Sequence, residues 1–145
     1  MGLLTRGAVA PLLVVGVALA LAGCSNPGPG AADAGRAAAD FATAVADGDG
    51  ARACALLTPR AAQSLADDAE TTCEQAVLAD PVTSAVVPDG PPTGAPEPKA
   101  FGREAQVHLD GDVLFLAMAG GGWKVSAAGC TPLPDQPYDC VIEGS

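Results

Sequence analysis

The N-terminal stretch of this chain most constrains what it can fold into. Arg6 is followed by residues 7–22, which carry no charge, and small residues lead up to Cys24. A basic start, an apolar run and a small-residue cleavage point are typical of a secretory signal. A transmembrane anchor is the weaker interpretation, because the run contains Pro11 and is short for spanning a bilayer. We expect residues 1–23 to be removed, which leaves 122 of the 145 residues for one small domain.

The residues around the cleavage point narrow this interpretation. The tetrad Leu21-Ala22-Gly23-Cys24 resembles the lipobox of bacterial lipoproteins. That resemblance implies diacylglycerol on the Cys24 sulfur and a mature protein anchored to the cell membrane on its extracytoplasmic face. Residues 24–30 contain no large apolar side chain, so we expect a lipidated, flexible tether there. Residues 31–145 then form the single folded domain.

The remaining cysteines predict a disulfide framework. Cys54, Cys73, Cys130 and Cys140 are an even number in an exported chain. Three pairings are open, and chain proximity favours Cys54–Cys73 and Cys130–Cys140, each contributing roughly 2–4 kcal/mol. The alternative is a four-cysteine zinc site, which usually brings ligands in close C-x₂-C pairs. No two of these cysteines are closer than ten positions, so we expect disulfides and no metal.

The charge of the chain argues against one class of partner. Seven Lys/Arg against 17 Asp/Glu give a formal net charge of −10, which becomes −11 once Arg6 is removed with the leader. A surface this acidic repels nucleic acid phosphates and anionic lipid headgroups. We therefore expect no direct binding to DNA or RNA.

The first half of the domain predicts helices. Residues 31–46 are rich in alanine and place Phe41 on one apolar helical face, and Asp47-Gly48-Asp49-Gly50 ends that helix. A second helix is predicted over residues 51–57. Thr58-Pro59 then supplies an N-cap and an N1 proline for a third helix. After a polar turn over residues 67–72, a short helix is predicted over residues 73–78.

The second half predicts strands. Residues 82–87 are rich in β-branched side chains and predict a strand, whereas the proline-rich residues 88–98 predict a loop. Residues 104–109 alternate, and Asp110-Gly111 is a hairpin signal that leads into residues 112–118. After a glycine turn, residues 123–127 predict a further strand. Helices followed by an antiparallel meander predict the α+β class, with the helices on one sheet face.

Several segments resemble known proteins. The order of elements, together with Phe-Ala-Thr-Ala-Val-Ala-Asp-Gly-Asp over residues 41–49, resembles the NTF2-like (cystatin-like, SnoaL-type) cone fold. Residues 53–57, 122–130 and 137–140 resemble small lipoproteins of actinobacteria, which are mostly of unknown function. The resemblance covers roughly residues 34–142 and implies an α+β cone without specifying an activity.

Few residues are candidates for chemistry. His108 is the only histidine, which excludes paired-histidine metal sites, and the alternation places it either at the surface or in a cone pocket. Residues 47–50 lack the later ligands of a calcium loop, and no serine has a G-x-S-x-G context. We expect no catalytic residue, no metal and no cofactor.

These observations favour a non-catalytic binding or scaffolding module, with an unidentified protein partner or a small apolar ligand. Phe115 and Trp123 are the candidate ligand-binding side chains, and Leu114, Leu116 and Met118 are candidate walls of the same site. The alternative is a SnoaL-like isomerase, cyclase or hydrolase. That alternative requires a second polar group that converges on His108 within the cone.

Overall fold

The computed structural model of the chain describes residues 30–144. Cys24 and the predicted leader lie outside the described residues. The helices come first: α1 (Ala31–Ala46), α2 (Gly50–Leu56), α3 (Pro59–Asp68), α4 (Cys73–Ala76) and α5 (Val82–Val86). The strands follow: β1 (Glu97–Phe101), β2 (Glu104–Leu109), β3 (Asp112–Ala119), β4 (Gly122–Leu133) and β5 (Gln136–Glu143).

The strands form one antiparallel sheet in the order β1-β2-β3-β4-β5. Helix α1 packs against the first four of these strands. The predicted α+β class is therefore confirmed, with helices packed on an open antiparallel meander.

The core lies between α1 and the sheet. Phe41 of α1 is fully buried among the alanines of its helical face. Alternate residues of the strands face it, and Val107, Leu114 and Leu116 are 0–1% exposed. The paired positions Val107↔Leu114 and Ala105↔Leu116 therefore mark the inner face of the sheet. The intervening positions of β2 and β3 mark its outer face.

The predicted strand over residues 82–87 is wrong, because Val82–Val86 is helical. Val82 and Val86 are four residues apart, so one helical turn places both on the same face, where they are 2% and 7% exposed. Ser84 donates a side-chain hydrogen bond back to Asp80. Contact of α5 with β4 and β5 thus overrides the β-branched composition.

The proline-rich segments contain more strand than predicted. Strand β1 begins at Glu97, inside the predicted loop, and includes Pro98. Strand β4 extends to Leu133, and β5 includes Pro137. Both β1 and β5 are edge strands. Proline has no N–H group and is tolerated there, because N–H groups on the open side of an edge strand have no ladder partner.

Both predicted disulfides are present. Cys54–Cys73 joins α2 to α4 with a Cα–Cα distance of 6.0 Å. Cys130–Cys140 joins directly opposed residues of β4 and β5 at a Cα–Cα distance of 4.0 Å. One bridge therefore staples the helical layer, and the other staples the last hairpin of the sheet.

Candidate functional site

A cleft of about 320 Å³ lies at the end of the sheet where β2 turns into β3. Its floor is made by Ala42 of α1 together with Leu109 and Leu114 of the sheet, all of which are buried. Residues 86–93, from the end of α5 into the proline-rich loop, form its outer wall. The volume is at the lower end of the range for small-molecule pockets, which is about 300–1,000 Å³.

The wall of the cleft is held in place by Asp110. This residue has a positive φ of 47° in the β2–β3 turn, a conformation that aspartate tolerates better than most residues. Its carboxylate accepts hydrogen bonds from the backbone N–H groups of Thr93 and Gly94, at 2.7 and 2.9 Å. The sequence marks Asp110 only as a turn residue, because its partners lie 16 and 17 positions earlier in the chain.

The surface that lines the cleft is about half apolar and half polar. Val86, Val87 and prolines contribute the apolar wall, while Asp89, Thr93 and Asp110 contribute the polar groups. Asp89 is exposed on the loop. This arrangement suits a small molecule that has both apolar and polar groups, and its acidic side chains favour a neutral or positively charged ligand over an anion.

A second aspartate, Asp112, lies near the cleft and binds backbone N–H groups of β3 and β4. Its carboxylate accepts hydrogen bonds from the backbone N–H groups of Val113, Gly129 and Cys130 at 2.7–3.1 Å. The β3–β4 ladder ends at Phe115↔Ala127, so the bonds from Gly129 and Cys130 satisfy β4 groups beyond the last paired position. Burial raises the pKa of Asp112 above its usual value of 3.8, although the three hydrogen bonds lower it.

The predicted ligand-binding residues do not meet in one pocket. Phe115 lies on the outer face, where its ring makes an edge-to-face contact with Tyr138 at a centroid distance of 5.3 Å. Trp123 is half-buried against the core and lies beside Gly30 at the opposite end of β3 from the cleft. Of the predicted wall residues, Leu114 alone lines the cleft.

His108 is exposed on the outer face of the sheet. Its neighbours across the strands are Glu97 on β1 and Val113 on β3. The cleft is lined from the inner face, by Leu109 and Leu114. The histidine and the cleft are therefore on opposite faces of the sheet.

Residues 30–144 offer no group of three or more His, Cys, Asp or Glu side chains arranged to hold a metal ion. In the same part of the chain, no helix combines the length and apolar character needed to cross a bilayer. Comparisons of the whole sequence and structure with protein families, curated proteins and solved structures gave no match.

Proposed function

We propose that this chain is a lipoprotein of the extracytoplasmic membrane face, anchored through Cys24, whose NTF2-like domain binds a ligand without catalysis. The lipobox-like tetrad at residues 21–24 supports the anchor. The two disulfides support an oxidising compartment outside the cytoplasm. The helices packed on one face of an antiparallel sheet are compatible with an NTF2-like cone, and we propose that specific fold for the domain.

The cleft is the observation that carries the binding role. Its floor of Ala42, Leu109 and Leu114 belongs to the core, while its wall is a loop tied down by the Asp110 carboxylate. A pre-formed wall lowers the conformational cost of binding, because the loop is already ordered. We propose that the ligand is a small molecule with an apolar part, at least one polar group and no negative charge.

The position of His108 favours this role over acid–base catalysis. A general base must lie within hydrogen-bond reach of the proton that it removes, in a pocket that holds the substrate. His108 is exposed on the outer face, and the polar side chains that line the cleft are Asp89, Thr93 and Asp110. An enzyme that uses this imidazole would need a binding site on the open side of the sheet.

Filling the cleft tests the binding role. The neutral fluorophore N-phenyl-1-naphthylamine should bind the lipidated protein in detergent and raise the emission above that of the same micelles without protein, into which the dye also partitions. Val87→Phe adds a ring at the half-buried wall of the cleft, and it should weaken binding at least about tenfold, equivalent to about 1.4 kcal/mol. Val141→Phe is the matched control, because Val141 is 38% exposed on β5 and outside the cleft. Equal affinity in both variants would refute the cleft as the binding site.

The anchor has its own test. Cys24→Ala should abolish lipidation and either release the protein from membranes or leave the precursor unprocessed. Two acyl chains contribute roughly 0.8 kcal/mol per buried CH₂, so the wild type should remain with membranes after a salt wash. Equal detergent partitioning of both forms, with no added mass on Cys24, would contradict the proposal.

The non-catalytic role is tested in a deletion strain. In that strain, a copy of the protein with His108→Ala should restore the wild-type phenotype as fully as an unchanged copy does. A copy with Val87→Phe should not. Loss of function in a normally folded His108→Ala protein would instead favour acid–base chemistry.

A further inference from the structure

The two ends of the sheet differ in their distance from the predicted lipid. Strand β3 begins beside the cleft, where Asp112 pairs with Leu109, and it ends where Ala119 pairs with Gly122. Its eight residues span about 25 Å. We call the far end, with the β1–β2 and β3–β4 turns, the anchor end: residues 101–104 and 118–124.

The folded domain starts at this end. The indole Nε1 of Trp123 lies 3.3 Å from the point that a Cβ on Gly30 would occupy, so α1 begins beside β4 at the anchor end. Six peptide units separate Cys24 from Gly30 and can reach at most about 20 Å. A lipid on Cys24 therefore keeps the anchor end close to the headgroups, while the cleft opens at the other end of β3.

The side chains of the anchor end match a membrane surface. Phe101 is 68% exposed, the largest exposure among the large apolar side chains described. Arg103 donates a hydrogen bond to the Met118 carbonyl at 2.9 Å, and Lys124 donates one to the Ala55 carbonyl at 2.5 Å. Aromatic and basic side chains together are typical of the interface between water and lipid headgroups.

The charge is distributed unevenly along β3. The anchor end holds Arg103 and Lys124 and one acidic residue, Glu104, whereas Asp89 and Asp110 lie at the cleft end. Asp33, in the first turn of α1, is paired with Arg36. An anionic bilayer attracts basic groups within about a Debye length and repels acidic ones. The chain without its leader has a formal net charge of −11, and the uneven placement of its charges means that repulsion by an anionic bilayer orients the domain instead of preventing contact.

We propose that the anchor end rests on the headgroup layer through Phe101, Arg103 and Lys124, so that the cleft opens away from the membrane. This inference rests on the proposed lipid anchor. It assigns a second, weak membrane contact to the folded domain, and it predicts that the ligand reaches the cleft from the side facing away from the bilayer.

Trp123 is the only tryptophan and reports on this contact. The lipidated protein without its leader is placed in vesicles of phosphatidylglycerol and phosphatidylcholine whose acyl chains carry bromine near the headgroup. Compared with unbrominated vesicles, Trp123 emission should fall about twofold, because interfacial side chains lie at the boundary of headgroups and acyl chains. Arg103→Glu combined with Lys124→Glu should remove most of this quenching while the protein still floats with the vesicles.

The matched control moves the reporter to the other end. Trp123→Phe combined with His108→Trp places the tryptophan at an exposed position next to the β2–β3 turn. Its emission should be unchanged by bromine. Equal quenching of both reporters, or unquenched Trp123 in protein that floats, would overturn the orientation and leave the anchor standing. Protein that does not float, or that lacks lipid on Cys24, would overturn the anchor and this inference together.

Discussion

The helical layer and the outer half of the β4–β5 hairpin are held in different ways. In the helical layer, Phe41 and Val77 are fully buried, and the alanines of α1 pack closely against the sheet. In the hairpin, residues 131–137 are all exposed. The hairpin is instead fixed near its base by the Asp112 carboxylate and by the Cys130–Cys140 bridge.

This difference shows how a chain with few large side chains divides its stability. Apolar burial stabilises the layer in proportion to the area removed from water, and a large part of it comes from a few side chains. A two-stranded extension buries too little to be stable alone, so it depends on directional bonds at its base. Substitutions in the helical layer should therefore destabilise the whole fold, whereas substitutions at the base of the hairpin should loosen the hairpin alone.

The largest effect is expected in the helical layer. Phe41→Ala leaves a cavity between α1 and the sheet, and it should lower the free energy of unfolding by about 3–5 kcal/mol. Chemical denaturation with the disulfides intact measures it. Phe101→Ala is the control, because Phe101 is 68% exposed and its loss should change stability by less than about 0.5 kcal/mol. Similar losses in both variants would contradict the assignment of the core.

Removing the disulfides sharpens the comparison. Cys54→Ala with Cys73→Ala should lower the free energy of global unfolding by about 3 kcal/mol. Cys130→Ala with Cys140→Ala should instead lower mainly the free energy of local opening of the β4–β5 hairpin. Amide hydrogen exchange separates the two. Loss of Cys130–Cys140 should speed exchange mainly over residues 131–140, and uniform acceleration along the whole chain would contradict a local role.

Substitution of Asp112 should have the next largest effect on the free energy of unfolding. Asp112→Asn replaces one acceptor oxygen with an NH₂ group that meets backbone N–H donors, so it should cost about 1–3 kcal/mol. Asp139→Asn, on an exposed position of β5, is the control and should stay within about 0.5 kcal/mol.

The pH dependence of Asp112 follows from its raised pKa. The folded state binds this proton more tightly than the unfolded state, so its contribution to stability falls as pH rises above 3.8. The stability difference between wild type and Asp112→Asn should therefore shrink from acidic to neutral pH. A difference that grows with pH would mean that the three N–H bonds outweigh burial.

The smallest effect concerns a helix cap. Thr58 is buried, and its hydroxyl accepts a hydrogen bond from Ala61 N–H at 3.2 Å, so Thr58→Ala should cost about 1 kcal/mol. Thr72 caps α4 in the same way, but it is exposed and its bond is 3.4 Å long. Thr72→Ala should therefore lower the free energy of unfolding by less than Thr58→Ala does. A larger loss of stability for Thr72→Ala in thermal denaturation would contradict this ranking.

Local signals were sufficient where one segment carries its own pattern. The apolar stripe of residues 31–46 predicted α1 within its observed bounds, and Thr58-Pro59 predicted the start of α3. They failed where a segment satisfies two patterns. Residues 82–86 are β-branched but also place two valines one helical turn apart, and packing against β4 selected the helix.

The candidate site was the least predictable part. Alternation placed Leu114 on the inner face and Phe115 on the outer face, so these two predicted lining residues do not share the cleft. The cleft depends on contacts between α1, the proline-rich loop and the β2–β3 turn. Those contacts join positions far apart in the chain, and no local pattern encodes them.

The amino-acid sequence by itself determined the α1 helix, the Thr58 cap of α3 and the β2–β3 turn, because each depends on residues near one another in the chain. Chain proximity favoured the disulfide pairing, and the structure selected it among the three that were open. The lipid anchor stays a prediction of the same local kind. Only the tertiary structure decided the roles of Asp110 and Asp112, two residues of one turn. Their side chains bond the backbone at residues 93–94 and 129–130, and the folded chain alone brings those segments within hydrogen-bond distance.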